Sequence, residues 1–536
     1  MSYIEIFLAF ALILFVLCYN INRLLGLPPG PTPWPLIGNT FQLPMPGIDK
    51  RLRELRKQYG DVFTLWLPYP TVIINGHEAL KRTVIRDGES YAGRPDTYVM
   101  ILLVEGNYGL IFEENDWYRS QRRFTLHTLK NLGVGRDTIK NAITMLAHRT
   151  VDLLRQTNGE PIELRNYLTG TQKKANQFVY LQNAVGNVIN QLAFGFIRPH
   201  EDKEIIEFQT NLNEVFFTVF EHFTNPKMLL LDIMPFLRHF DRFVGFGIKT
   251  TLHGNDDEQK NGKKTSLQYD YHKKTINYDQ EPTNYLDAYL HEIKRRKDEG
   301  VVDEFTEKQC VIAIYDLYSA GLETIVITLR YCFHFILNYP SIQEKIHNEI
   351  DNAIGRERDI TMDDQKILPY TCAFLQEVYR AGYVLHVNFL RMTLKDVDCE
   401  GDVTFLITLR NLYINSKIPY SFSGYKLRKG TRVIPQFQSV HMDESIFPRP
   451  ELIIPERHLK DGQFIKDDRI NGFSVGKRAC LGENLARMEV FMFFTSLMQK
   501  FRFEPEGLYP PKLELLISTF RAPLPFKIRV IDRCSK

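Results

Sequence analysis

The chain lacks a disulfide framework, a zinc motif and a strong charge of either sign. Its seven cysteines are odd in number and scattered at 18, 310, 332, 372, 399, 480 and 534, with no CxxC pair. That usage fits a reducing compartment. No His/Cys cluster has zinc-ligand spacing. A net charge of +3 over 536 residues is too mild for a nucleic-acid partner. No glycine-rich flavin or nicotinamide fingerprint occurs, so the chain carries neither cofactor's usual binding signature. Repeats and an internal linker are missing as well, which leaves one large unit. One string, Gly472 to Gly476 (GFSVG), fits the G-x-S-x-G elbow of serine hydrolases. That fold needs an acid and then a histidine after its serine, and no histidine follows His458. No strand pattern leads into it either, which excludes the hydrolase.

What is present begins with an apolar run. Ile6 to Tyr19 (IFLAFALILFVLCY) carries no charge, and Ile4 and Ile21 extend it. The run is slightly short of the roughly 20 residues of a spanning helix, so a signal peptide competes. No small-x-small cleavage site follows, however. Glu5 before the run and Arg23 after it would keep the rest of the chain cytosolic. We expect a membrane anchor over 1–27, with Pro28 to Pro35 as a stiff spacer.

The body, 28–536, reads as mainly α with a small β region (α+β). DVFTLWL and TVIIN predict two strands around Pro68-Tyr69-Pro70. Helical periodicity dominates from about 77 to 380, including EALKRTVIRD, IIEFQTNLNEVFFTVFEHF and a long apolar helix through Ala320. A strand-like region over 383–440, a helix near 481–500 and an extended tail follow. Three stretches sit badly in this scheme: 168–180, 252–268 and 402–424. The third splits CEG from YKLRKG, which would otherwise read as a tight hairpin. They are either surface loops, which cost little, or translated introns of a gene model.

One stretch carries chemistry, FSVGKRACLGENLAR over Phe473 to Arg487. Cys480 stands between two glycines, after two cations and directly ahead of a helix. Unpaired N–H groups at a helix start and the charges of Lys477 and Arg478 favour a thiolate. Gly476 permits a tight turn, Gly482 lets the helix approach something flat, and Phe473 can shield the sulfur. Together they describe a protected thiolate facing a large planar ligand, the setting of thiolate-ligated haem.

The string F-x-x-G-x-R-x-C-x-G resembles the haem-binding loop of the cytochrome P-450 superfamily, and three further motifs agree in order. AGLET, Ala320 to Thr324, lies inside the long helix. A mid-helix glycine costs about 1 kcal/mol, and the threonine hydroxyl can bond back to Ala320, loosening the helix beside a small ligand such as dioxygen. EVYR, with Glu377 and Arg380, pairs in the family with a later PER, here Pro455-Glu456-Arg457; His458 replaces the usual phenylalanine. WYRSQRRF resembles the propionate-binding segment, where family members place Arg four residues after Trp. Here Gln121 is four after Trp117, and Arg122 is five. The resemblance assigns Arg122, Trp117, His441 and Arg478 to the haem propionates. Gly472 departs from the family's usual proline. The spacer and YAGRP resemble animal microsomal members of the drug-metabolising type, and YHKKTINYDQEPTNYLDAYLHEIKRRKDEG resembles nematode ones.

The resemblance implies an endoplasmic reticulum enzyme with its catalytic domain cytosolic, a haem b monooxygenase with Cys480 as axial iron ligand. Thr324 would hold oxygen and water, with Glu323 feeding protons. The implied partners are an NADPH-dependent flavin reductase, a cytochrome b-type donor as a possible second source, and a lipophilic substrate (xenobiotic, steroid or fatty acid). Arg122, Arg123, Lys130, Lys477 and Arg487 could gather as the reductase-docking face. Phe216, Phe217, Phe220, Val387, Phe389 and Phe520 fall at family pocket positions and imply a greasy substrate. Two alternatives stay open: a haem-binding sensor, which leaves Glu323 and Thr324 without a role, and a non-functional product of a mis-spliced gene.

Overall fold

The computed structural model describes residues 25–533 apart from 96–105, 164–179, 203–268, 400–424 and 517–519, and positions 36, 45–46, 68, 107, 114–115, 135–136, 200–201 and 302. The apolar run, the core of each odd stretch, and Phe216, Phe217 and Phe220 therefore lie outside the described residues.

The two expected strands form. After helix α1 (Ile48–Tyr59), β1 (Val62–Leu67) and β2 (Tyr69–Ile74) pair antiparallel. The helical segments that follow are α2 (Asp116–Leu129), α3 (Asp137–Arg155), α4 (Tyr180–Phe194) and α5 (Tyr285–Asp298). EALKRTVIRD departs from a plain helix, with one α-turn at His77–Leu80 passing into a π-helical stretch, Lys81–Arg86.

The long apolar helix, α6, spans Glu307–Asn338 without a break. Thr306 caps it, its side chain accepting the Gln309 N–H at 3.1 Å, a contact worth about 1 kcal/mol. Pro340 cannot continue it and instead starts α7 (Pro340–Ala353) at a position where its missing N–H costs nothing. Among the described residues α6 is the one helix long and apolar enough to cross a membrane. Its position is internal: it packs against α4, α5, α7, α8 (Pro369–Ala381) and α9 (Glu483–Lys500). From Ile325 to Leu337 every residue is buried, each large aliphatic contributing roughly 1.5–3 kcal/mol.

Small sheets flank the helices, one of them pairing β3 (Ile162–Glu163) with the last strand, Lys527–Asp532. In the main one, β7 (Arg432–Pro435) runs parallel to β2 and antiparallel to β4 (Arg391–Met392), giving the order β1-β2-β7-β4. An isolated bridge between Gly93 and Met392 ties the chain ahead of Arg94 to β4, so two arginines distant in sequence become neighbours.

β5 (Val397–Cys399) and β6 (Tyr425–Leu427) pair antiparallel, with Cys399 opposite Tyr425. The flanks of the third odd stretch thus form the hairpin that its removal would close. Deleting 402–424 leaves Glu400-Gly401 between paired residues, the favoured two-residue loop length with glycine second. Shortening the loop from 25 residues to two recovers about 2 kcal/mol of closure entropy. The deletion is expected to raise the unfolding temperature with haem uptake intact. Loss of folded protein in a thermal melt would show instead that the stretch is integral to the sheet.

Candidate active site

The loop between β7 and α9 is fixed by its carbonyls. The Phe473 carbonyl accepts the Cys480 N–H at 2.9 Å, and Val475 O accepts from Arg391 Nη2 at 2.9 Å. Lys477 O accepts from Tyr118 Oη at 2.8 Å and Ala479 O from Arg122 Nη2 at 2.5 Å. Alternate residues are thereby tied to β4 and α2. Gly476 sits at φ +72, and a Cβ there would stand 2.1 Å from the Val84 carbonyl, so the turn admits only glycine. The Phe473 ring packs edge-on against Tyr379 at 5.4 Å and under the Arg487 guanidinium at 4.7 Å.

Cys480 is open on one side, and the protein packed around its other sides pushes its thiol pKa up; the Gly482 N–H and Arg122 pull it down and Glu483 raises it. The cations adjacent in sequence act elsewhere. Lys477 pairs with Glu89 at 2.8 Å. Arg478 turns inward, donating from Nε to Ala92 O and from Nη2 to Glu113 O, both at 2.6 Å. The Gly482 N–H and Arg122, rather than the two cations adjacent in sequence, are the groups that favour the thiolate, against the larger effect of burial.

Four guanidiniums converge beside this loop. Arg94, Arg391 and Arg478 are buried. Burial lowers the pKa of each, and mutual repulsion adds to it: Arg478 and Arg391 act on Arg94, Arg478 on Arg391, and Arg122 on all three. Nη1 of Arg391 and of Arg478 finds no partner among the described residues. Such a concentration of buried cations calls for anions. Two carboxylates on a flat ring, with a thiol below it, match this donor set, so the residues fit an iron porphyrin with its propionates.

The structure brings Arg122 and Arg478, both expected at the propionates, together with Arg94, Arg391 and Tyr118, which the sequence reading did not name. Two other expected residues stand outside this cluster. Trp117 is 41% exposed on α2; Tyr118, four residues before Arg122, is buried with Arg478 Cζ 3.3 Å from its ring centre. One residue is about 100° of helix, so the offset in the motif moves the tryptophan off the inner face. His441 contacts a different set of residues. Its Nε2 accepts the Asn471 N–H at 2.9 Å, and burial, with Arg380 nearby, lowers its pKa to about 3.

On α6, Thr324 Oγ1 donates to the Ala320 carbonyl at 2.7 Å, and Glu323 is buried. In the first half of α6, Ile312, Tyr315, Leu317, Ala320, Gly321 and Thr324 are partly accessible, whereas Ile325 to Leu337 are all buried. A Cβ at Gly321 would meet Ile189 at 2.7 Å, so this glycine permits close packing on α4, and the helix is not opened as the motif suggested. Below the loop, Glu377 and Arg380 are fully buried at 2.7 Å, with Arg457 3.3 Å from Glu377. His458 joins them, its Nε2 2.8 Å from Glu377 Oε2.

Of the cations expected on a reductase face, Arg123 and Lys130 are exposed. Arg122 is committed to the loop and Arg487 to Glu483 at 2.9 Å.

The family model described as Cytochrome P-450 matches residues 28–408 and 410–530. The chain is similar to a probable cytochrome P-450, CYP36A1, of Caenorhabditis elegans: 48% identity over 536 residues, covering 99% of this chain and 100% of the relative. It is 34% identical to cytochrome P-450 2C7 of Rattus norvegicus over 512 residues, 94% of this chain and 92% of that one. For cytochrome P-450 2C5 of Oryctolagus cuniculus the identity is 33% over 490 residues, 91% and 89%.

Proposed function

The chain belongs to the cytochrome P-450 family, as a haem-iron monooxygenase with a redox partner and a small-molecule substrate, and from that premise we propose that Cys480 is the thiolate ligand of haem b. The observation that carries this reading is the Cys480 loop, pinned at alternate carbonyls beside four converging arginines. The bound haem supplies the activation of dioxygen for insertion of one oxygen atom; the protein holds, shields and delivers protons. Arg94, Arg122, Arg391 and Arg478 hold the propionates, with Tyr118 beneath Arg478. Phe473 is fixed by Tyr379 and Arg487 where it can keep water from the sulfur. At Gly482 a Cβ would meet no protein atom within 4 Å, which leaves the helix start open to a flat ring. The Thr324 hydroxyl donates a hydrogen bond to the Ala320 carbonyl and keeps lone pairs to accept from water, and Glu323, one residue earlier, feeds protons into that position.

The substrate is lipophilic, a xenobiotic, steroid or fatty acid, in keeping with half-buried Phe112, Phe389 and Val387. Electrons come from NADPH through a flavin reductase that docks on the cysteine side, at Arg123, Lys130 and Lys477. Residues 1–27 anchor the chain in the endoplasmic reticulum membrane with the body cytosolic. Leu25, Trp34, Ile37 and Phe41 are exposed, an apolar continuation of the run. Deleting residues 2–25 is expected to move most of the protein from the membrane pellet to the soluble fraction. A cleaved, secreted chain would contradict the anchor.

The activity is tested with full-length protein, an NADPH-dependent flavin reductase, phospholipid and a panel of steroids, fatty acids and xenobiotics under isotopically heavy oxygen. One heavy atom per product molecule is expected. No turnover across the panel, with haem intact, would contradict the reading and favour a sensor.

A further inference from the structure

Glu113, in the segment ahead of α2, is a fully buried acid whose side chain has no role assigned above. Its carbonyl accepts from Arg478 Nη2 at 2.6 Å, so the backbone here is fixed to the arginine cluster. One carboxylate oxygen, Oε2, lies 3.5 Å from Gln309 Nε2, the outer limit of a hydrogen bond. Gln309 is itself engaged by Gly109, donating to its carbonyl at 2.9 Å and accepting its N–H at 2.8 Å. The other oxygen, Oε1, has no partner among the described residues. Buried polar atoms are as a rule paired, and an exception calls for an explanation.

Charge supplies one. Arg94, Arg122, Arg391 and Arg478 bring four cations together, against the two carboxylates of the propionates. Glu113 acts on Arg478 through its charge, and Arg478 Nη1 likewise has no partner among the described residues. Ionised, Glu113 adds a third negative charge to this balance; protonated, it leaves the cations to the propionates. Its surroundings hold it between the two states. Burial pushes the Glu113 carboxyl up to about 8, Arg478 pulls it down, Glu304 and Asp316 push it up, and the Gln309 contact pulls it down. The groups facing it are thus Arg478 from the Cys480 loop, Glu304 ahead of α6, and Asp316 and Gln309 on α6. Tyr289 on α5 joins them, and the Ser120 hydroxyl of α2 donates to the Glu304 carboxylate.

We propose that Glu113 is a positioning residue for electron uptake: acting through Arg478, it takes one proton from water when the haem iron accepts one electron, and releases it on reoxidation. The proposal rests on the haem-binding reading of the site. The electron comes from the redox partner, and because one proton enters with it the net charge of the site is unchanged. Reduction adds negative charge at the iron and so favours the neutral acid. By linkage the neutral acid favours reduction by the same factor. Rising pH ionises Glu113 and therefore lowers the midpoint potential, while well below and well above this window the potential is flat. A proton held about tenfold more tightly in the ferrous protein is the order expected for unit charges ~10 Å apart in a protein. That factor corresponds to about 59 mV between the two plateaus.

The test is a redox titration of substrate-free full-length holoprotein, followed at the Soret band between about pH 6 and 10. Wild-type protein should show the fall of about 59 mV. Glu113→Gln keeps the shape without a titrating proton and should lose that fall. Asp316, which burial raises to about 7, titrates in both proteins and cancels from the comparison. Glu113→Asp keeps an acid and should restore a fall, displaced along the pH axis. The proton itself is read from the reduced-minus-oxidised infrared difference spectrum near pH 8. There the carbonyl band of a neutral carboxylic acid should appear in wild type, move in Glu113→Asp and vanish in Glu113→Gln, which a merely structural role would not produce. Equal pH profiles in wild type and Glu113→Gln, or no such band, would overturn the proposal. Should Glu113→Gln fail to take up haem, Glu113→Asp decides, since a band that does not move belongs to another acid. Wild-type protein without a thiolate-type carbon monoxide band would fail the site reading itself, whereas that band with a pH profile shared by Glu113→Gln fails only the proton coupling.

Discussion

Thr324→Ala is expected to uncouple the enzyme, with product falling 10²- to 10⁴-fold, the order of magnitude a positioned acid–base group supplies, while NADPH is still consumed. The substitution removes one hydroxyl. It leaves the Cys480 loop, the arginine cluster and the exposed cations untouched, so haem, substrate and reductase binding should persist. Its back-bond to Ala320 at 2.7 Å is internal to α6, whose other backbone bonds hold it straight. What is lost is the oxygen that accepts from water beside Glu323, and reducing equivalents should emerge as hydrogen peroxide or superoxide. NADPH, peroxide and product are measured together in the reconstituted system. Unchanged coupling would remove Thr324 from proton delivery.

Glu377→Gln is expected to cost roughly 3–5 kcal/mol of stability, the range for breaking a buried ion pair on one side. Burial by itself would raise the Glu377 pKa; hydrogen bonds from Arg380 and His458 and the charge of Arg380 outweigh it and bring the carboxyl from 4.5 to about 2. A depressed carboxyl stabilises the fold fully above its unfolded value. For Glu377 that contribution, about 3 kcal/mol for the shift, is present above pH 4.5 and lost as pH falls towards 2. In the variant, Arg380 keeps its bonds to the carbonyls of His441, Pro450 and Leu452 but loses its counter-charge in a fully buried site. Denaturant unfolding at neutral pH measures the loss, and the wild-type acid limb should be absent from the variant. A midpoint equal to wild type would show that Arg380 is satisfied by carbonyls alone.

The parts of the site legible in sequence are those where covalent order forces proximity. Phe473, Gly476, Cys480 and Gly482 lie within ten consecutive residues, so their spacing already encodes the loop. Ala320 and Thr324 are one helical turn apart, and the back-bond follows. Glu377 and Arg380 share a helix face, and Arg457 joins them through the fold. The arginines that the reading missed come together only in three dimensions. Arg391 stands in a two-residue strand and Arg94 after a bridge residue; neither position has a period to betray it. The available signal was weak, a lone arginine among apolar residues in LHVNFLRM and another in YAGRP. Trp117 and His441 stand outside the cluster for different reasons. A one-residue offset turns the tryptophan outward and brings Tyr118 in, while the histidine, assigned by its match to the family's pattern, is buried among other residues. His458 was legible as a departure and not as a ligand of Glu377, because the partner lies 81 residues away. The hairpin around 402–424 was readable from its flanks, since Cys399 and Tyr425 bring their own pairing pattern.

The central claim is that Cys480 binds haem iron as a thiolate, and the reduced, carbon monoxide-bound absorption spectrum addresses it directly. Wild-type protein should show the strongly red-shifted Soret band of thiolate ligation. Cys480→Ser should lose that band even where haem is retained by Arg94, Arg122, Arg391 and Arg478. A serine variant that keeps the red-shifted band would place the ligand on another residue and contradict the account.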